Sequence, residues 1–573
     1  MTLQKLTLCA LLSTAAIISG CQSDKAQDNT LNFARAWCIS GGPIYTAIDE
    51  TPMVKAVAIR EGVITYVGSN TGEWCQDAAG ANSKTIDLKG AAAYPGFTDA
   101  HGHLIGIGLR EMTLNLEGTT SIKDLQAKLA GVVSETPKGQ TIYGRGWIET
   151  HWPESRFPNK SDLDTVTTEH VVILERADGH ASVVNTLALE KANITNTTKN
   201  PFGGAINRSA DGIATGMLID NAASLVQPLL PKLTSERKKE AYIRAGDLYA
   251  SRGWTNIHSM SVNPEDIPML NALAQDGELK IRVYNSIDLL PTEGTETHSI
   301  FNDKNSVENT LVTTRAIKLY ADGALGSRGA ALLAPYSDDD KNSGLLLLKA
   351  DHAEAIFDAA LRNGTQVNTH AIGDRANRIV LDWYQAAFQR ILPEQRAIKN
   401  PRWRIEHSQI IEPNDIPRFA ELGVIPSMQP SHAIGDLHFA PNRLGKDRLS
   451  GAYAWRALID SGSIIAGGSD APVEVGDPRI EFYAATQRKD LKGFSNEDWN
   501  PKQKVTPQEA LKMFTAWPAY AAFQESLTGT IEVGKAADIT VFETDLMTAS
   551  GPEIQRSKPV LTMVNGRLAF DGR

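Results

Sequence analysis

The feature that most narrows the fold of this chain is an alternation repeated through its middle. Short apolar runs give way, again and again, to amphipathic stretches with helical spacing. The apolar runs end near His103, His258, Ser286, Tyr320, His370, His407, Met428 and Asp470. Between them, EAIFDAALRNG, ANRIVLDWYQAAFQRIL and PQEALKMFTAWPAYAAF carry apolar residues three or four apart, which is one face of a helix. Eight strand candidates with helices among them predict an α/β fold built on a parallel (β/α)8 TIM-like barrel, over 94–109 plus 240–524. The stretch 110–239 is too long for a connecting loop of such a barrel. Its strand-like TIYGRGW and HVVILERADGHASVVN predict an inserted α/β subdomain.

The two ends of the chain have another character. KAVAIREGVITYVG reads as two alternating strands about a Glu61-Gly62 turn, and KPVLTMVNGRLAF holds the hairpin dipeptide Asn565-Gly566. Neither end alone has enough strands for a stable sheet. Together, 35–93 and 525–573 predict one composite β-sandwich, with the chain leaving it at Pro95-Gly96.

The first twenty residues read as a secretory signal: Lys5 precedes an apolar stretch too short for an ordinary membrane span. Ile18-Ser19-Gly20-Cys21 resembles the lipobox of bacterial lipoproteins, the alternative being a plain signal with an incidental cysteine. The resemblance implies that Cys21 carries lipid and that 21–34 is a tether. It implies a chain anchored on the periplasmic side of the cell envelope, at the outer membrane because Gln22 and not Asp follows the cysteine. Cys38 and Cys75 then lie in a compartment that permits disulfides, and a bridge or two free buried thiols are both open. No zinc-ribbon spacing occurs, so any metal is held by nitrogen and oxygen. A net charge of -10, with no Lys/Arg-rich run, argues against a nucleic-acid partner.

Several strand ends carry residues with chemistry. In PGFTDAHGHL, His101 and His103 stand at i and i+2, so a strand aims both at one face. Alone, a His-x-His pair is weak evidence for metal. Lys318 lies between Ile317 and Leu319, where an unpaired ammonium is costly. It is either paired, with a carboxylate such as Asp322 or with solvent, or it is a carbamate able to bridge two cations. TQVNTHAIGDRAN puts Gln366, Asn368 and His370 on one face, with Asp374 as a helix cap. WRIEHSQII ends a strand at His407, and SIIAGGSDAPVE ends one at Asp470. Each has an ordinary structural reading. Five strands each offering a metal-competent residue at the C-terminal end, the functional face of such barrels, do not.

The ordered set His101-x-His103, Lys318, His370, His407 and Asp470 resembles the amidohydrolase superfamily. PGFTDAHGHL, KLYADGALGSR, THAIGDRAN, RIEHSQ and GGSDAPV look like its amidohydrolase-three branch, often called YtcJ-like, as do RADGHASVVN and GTIEVGKAADITVF. The resemblance implies one or two divalent metal ions. His101 and His103 would hold the more buried one, His370 and His407 the other, with Lys318 as a carboxylated bridge. Zinc is the default for nitrogen-rich ligation, beside iron, manganese or cobalt. It also implies attack by a metal-activated hydroxide, with Asp470 as metal ligand, general base and then general acid. Arg328, His180, His258 and Arg145 with Trp147 are candidates for substrate contact, against salt-bridge or packing roles for each. The expected function is an amidohydrolase acting on carbon–nitrogen bonds of a small molecule, not on peptide bonds of proteins. Deamination or ester hydrolysis on the same centre is the alternative, as is a non-catalytic periplasmic binding lipoprotein, which the complete ligand set argues against. No residue pattern bears on the oligomeric state.

Overall fold

Eight parallel strands lie side by side in chain order: Phe97–Gly102, Trp254–Val262, Arg282–Asp288, Val312–Tyr320, Gln366–Ala371, Arg404–His407, Ile425–Met428 and Ala466–Gly467. The computed structural model describes residues 36–573 apart from 81, 290–310 and 496. The signal segment 1–20, the tether 21–34 and Cys21 lie outside the described residues. A parallel sheet is covered on both faces, so its strands are buried throughout. Phe97–Gly102, Gln366–Ala371 and Arg404–His407 contain only buried residues.

The eighth strand closes on the first through backbone. Asp470 N–H donates to the His101 carbonyl at 2.6 Å, and His103 N–H to the Ala471 carbonyl at 2.8 Å. The seam of the barrel therefore runs through the predicted ligands.

The helices between strands follow local rules. Ser235–Arg252 starts at Thr234, whose side chain accepts from Arg237 N–H, and it buries Ala241, Ala245 and Tyr249, four apart. It ends at Gly253 with φ 108, where a Cβ would meet the Phe542 ring at 2.9 Å. Asp374 is the first residue of Asp374–Arg390 and not its cap, which is Gly373; the Asp374 carboxylate accepts from Leu333 N–H instead.

Where the sequence predicts a sandwich, the chain ends form one continuous hydrogen-bonded sheet of eight strands. Ala36–Tyr45, Met53–Arg60, Val63–Gly68, Lys84–Asp87 and Ala92–Pro95 come from one end, and Ile539–Phe542, Pro559–Val564 and Arg567–Asp571 from the other. Ala92–Pro95 pairs antiparallel with Ile539–Phe542 and joins them. Trp37, Val57, Ile59, Val541, Leu561 and Met563 make this sheet's own core. Cys38 and Cys75 are bonded, Cα to Cα 5.7 Å, tying the first strand to helix Glu73–Ala79.

Only Gly96 separates this sheet from the barrel. A Cβ there would lie 2.2 Å from Thr255 Oγ1, so no larger residue fits without a shift. The buried pair Arg282–Asp538, Nε to Oδ2 2.6 Å, crosses the same junction.

The insertion forms a six-stranded mixed sheet, in the order Gly204–Arg208, Ala214–Asp220, Ala181–Val184, Val171–Arg176, Thr141–Trp147, Leu114–Asn115. Strands and flanking helices alternate within it, an α/β arrangement.

Candidate metal centre

The first strand sets the floor of the site. Asp99 and His101 share a face, and the Asp99 carboxylate accepts from His101 N–H, Ser469 N–H, Ser469 Oγ and Tyr249 OH. Residue 99 thus pins the strand carrying His101 to the one that leads into Asp470. Asp470 itself has φ 60, a left-handed backbone that turns its carboxylate back over the seam. Its Oδ1 lies 3.0 Å from His103 Nε2 and 3.5 Å from His101 Nε2. Its Oδ2 lies 3.9 Å from His407 Nδ1 and 3.7 Å from His432 Nε2. His101, His103 and Asp470 form one group of potential ligand atoms within 4.8 Å, and His407, His432 and Asp470 another.

In a regular strand Glu406 and His407 would face opposite sides. They both reach the centre because φ is 74 at His407 and 44 at Ser408. Such residues cost roughly 1–3 kcal/mol each and persist where the surroundings over-determine them. Here Arg404, fully buried, supplies that frame. It pairs with Glu406 at 2.7 Å and donates to the Ala100 carbonyl, Ser427 Oγ and His258 Nδ1.

The donor set fits a divalent cation. His101 donates its Nδ1–H to Glu406 Oε2 at 2.5 Å, and its Nε2 is buried with no hydrogen-bond partner. His407 donates Nδ1–H to Gln429 Oε1 at 2.9 Å. Both rings therefore carry their lone pair on Nε2, the form a metal takes; that of His101 faces Asp470 Oδ1, whereas His407 turns its Nδ1 toward Asp470. His370 Nε2 lies 3.5 Å from the Gly323 carbonyl and 3.5 Å from Asp322 Oδ1. Burial above all pushes His101, His370 and His407 well below the usual imidazole range and keeps them neutral. Burial would raise Asp470, but the neighbouring His101 and His103 hold it below the usual carboxylate range.

Lys318 is buried at 1% exposure, its Nζ 5.3 Å from the Tyr320 ring centre. Burial brings it down to about 8, against the pull of Glu406 and Asp470. Asp322 is not its partner: that carboxylate accepts from the backbone N–H of Ala331, Ile372 and Gly373.

From the insertion, the turn Arg176–His180 enters the site. Asp178 accepts from His180 N–H and from Arg176, which is itself held by Glu149. His180 Nδ1 donates to Asp220 at 2.7 Å, and its ring centre lies 5.2 Å from that of His370. Burial works against a charged His180, yet Asp220 and Asp178 outweigh it and raise the ring to about 9.

The other candidates for substrate contact each have a structural partner. Arg145 donates to the Ala177 carbonyl and sits 3.5 Å from Glu175, bracing that turn. Trp147 is fully buried in the insertion's core against Trp152 and Phe157, its indole N–H on the Leu174 carbonyl. It packs the insertion. His258 is fully buried, spent on Arg404 below the ligands. Arg328 is paired with Asp338 at 3.0 Å, partly exposed. Sequence reasoning missed Glu406, Arg404, Gln409, Gln429 and His432. His432 lies four residues past the seventh strand, in helix Pro430–Asp436, whereas His103 directly follows the first strand.

Residues 84–570 match the sequence profile described as Amidohydrolase family. A protein of Bacillus subtilis (strain 168) named as the amidohydrolase YtcJ is 31% identical over 540 residues, covering 93% of this chain and 98% of its own length. An N-substituted formamide deformylase of Arthrobacter pascens is 25% identical over 532 residues, 90% of this chain and 95% of its own. Among solved structures, a metal-dependent hydrolase of Pyrococcus horikoshii superposes with a TM-score of 0.72 at 25% identity, covering 90% of this chain and 99% of that one.

Proposed function

The chain belongs to the amidohydrolase family, and on that premise we propose that it hydrolyses a carbon–nitrogen bond of a small molecule, outside proteins, with a divalent cation. One observation carries the reading: neutral His101 and His407, each with Nδ1–H on an acceptor, converge with His103 on Asp470 at the barrel seam. His101, His103, His370, His407 and Asp470 would hold one or two ions, zinc first among them by donor type. Such an ion supplies acidity, lowering the pKa of a water toward neutrality and polarising the carbon under attack.

The chain's own groups do the rest. Asp470 accepts the proton of the attacking water and returns it to the leaving nitrogen, as general base and then acid. Glu406 and Gln429 fix the tautomers of His101 and His407. Were two ions held, Lys318 would be the residue to serve both, its amine having taken up carbon dioxide with loss of a proton to become an anionic oxygen ligand. His180, backed by Asp220, faces the substrate from the insertion.

The deformylase relative makes neutral N-substituted formamides the first compounds to test, followed by N-acyl amino acids, hydantoin-like rings and lactams. The signal-like start supports an anchor through Cys21 on the periplasmic side of the outer membrane. Radiolabelled palmitate should enter the intact chain and not Cys21→Ala.

The test of function is a mass-spectrometric screen of those compounds with the zinc-loaded enzyme, beside His101→Ala/His103→Ala and Asp470→Asn. Turnover should need all three residues. Protein without stoichiometric metal, or a double variant as active as the parent, overturns the hydrolase reading.

A further inference from the structure

Four histidines surround Asp470, and three of them, His101, His407 and His432, differ in what holds Nδ1. Glu406 accepts from His101, and Gln429 Oε1 accepts from His407, the Gln429 amide being oriented by its own N–H on the Ser427 carbonyl. A carboxylate or amide oxygen can only accept, so the proton of each ring is on Nδ1. His432 is held the opposite way. Gln409 Nε2 donates to its Nδ1 at 3.0 Å, and an amide nitrogen can only donate. The Nδ1 lone pair is used, and the ring's proton is on Nε2.

That nitrogen is buried with no hydrogen-bond partner, on a residue 8% exposed. It stands 3.7 Å from Asp470 Oδ2 and 3.8 Å from Glu474 Oε1, too far to bond either. An oxygen seated beside the pair, off the line joining them, could come within hydrogen-bond reach of both His432 and Asp470. The ring is held there: it stacks on His407 at 6.0 Å, and its helix Pro430–Asp436 is fixed by Ser431 N–H on Glu481 and by Tyr453 OH on Asp436.

We propose that His432 is a catalytic hydrogen-bond donor and not a metal ligand, its Nε2–H meeting the oxygen of the scissile carbonyl, with Gln409 as its positioning residue. The inference rests on the hydrolase reading above. As water adds, the carbonyl oxygen gains negative charge and His432 donates to it without giving up its proton. Asp470 moves the one proton that is transferred. Hydroxide ends on the acyl carbon and hydrogen on the leaving nitrogen, so the addition of water balances. His101 and His407 serve the ion, and His432, stacked on His407, serves the substrate.

The test combines imidazole nitrogen NMR, metal content and kinetics on the compound turned over fastest in the screen. The His432 resonances, assigned by their loss in His432→Gln, should show Nε2–H both with zinc and after chelation. His432→Gln should keep its metal and lose about 10²–10³-fold in kcat, the scale of one such donor. Gln409→Glu replaces the donor on Nδ1 with an acceptor. It should move the proton to Nδ1 and lower kcat similarly, with metal content unchanged, while Gln409→Asn recovers part of the loss. Release of the Nε2 proton on zinc binding, or loss of metal in His432→Gln, makes His432 a ligand and overturns the proposal, as does an unchanged kcat in both variants. Absence of turnover on every compound overturns the hydrolase reading and the role with it, while the tautomer still separates donor from ligand.

Discussion

Glu406 and His101, 305 residues apart in sequence, meet at 2.5 Å on the floor of the barrel. The carboxylate serves two masters, the His101 Nδ1–H and the fully buried Arg404. Glu406→Gln should therefore show two separable losses. Metal affinity should fall about 10–100-fold in competition with a chromophoric chelator, because His101 is no longer held as firmly in its ligand tautomer. Stability should fall by roughly 3–5 kcal/mol in denaturant titration, because Arg404 keeps a buried charge without a counter-charge.

Removal of the ion should itself destabilise the protein. A ligand that binds only the folded state at about a thousand times its Kd adds ~4 kcal/mol. Chelation should lower Tm and added zinc should restore it. Protein bearing His101→Ala/His103→Ala should melt at the same temperature with and without chelator.

Trp147 separates packing from recognition. Trp147→Ala should cost about 3–5 kcal/mol by emptying the space against Trp152 and Phe157. KM of the fraction that folds should not move. A raised KM with unchanged stability would place the ring against substrate instead.

The Cys38–Cys75 bridge spans a sequence separation of 37. Closing a loop of that length stabilises by about 4 kcal/mol in the chain-entropy account. Cys38→Ala/Cys75→Ala should lose most of that in urea titration, and reductant should do the same to the parent and nothing to the variant.

Glu509 gives a pH signature away from the site. It completes a capping box with Thr506 and a two-point ion pair with Arg456. Burial tends to raise its carboxyl, but Arg456 and the Thr506 N–H outweigh it and bring it down to about 2. Its stabilising effect is present above the ordinary value of 4.5 and is lost as pH falls through about 2. Because the pair is partly exposed, the effect is no more than ~1 kcal/mol. Melts of Glu509→Gln should lie below the parent at pH 7 and converge with it across that window.

Much of the frame was legible because apolar alternation encodes it. The runs ending at His103, Tyr320, His370 and Met428 correspond to barrel strands, and the Asn565-Gly566 hairpin joins two strands of the terminal sheet. What stayed hidden depends on backbone turns and long-range partners. A period of two puts Glu406 and His407 on opposite faces, and only the left-handed φ at His407 reunites them. His432 lies in a helix past the seventh strand, and its role turns on Gln409, a contact that no spacing reveals. Trp147 looked available because an aromatic beside Arg145 fits a binding wall as well as a core. Distance alone settled Cys38 and Cys75.

The seam that joins residue 101 to residue 470 also orders the protein's own manufacture. A ribosome that has made the paired histidines must add more than half the chain before their carboxylate emerges. It must go on to Ile539–Phe542 before Ala92–Pro95 finds its sheet partner. A chain halted short of Asp470 lacks the carboxylate that His101 and His103 face across the seam. The proposed site can therefore close only after the eighth strand has been made.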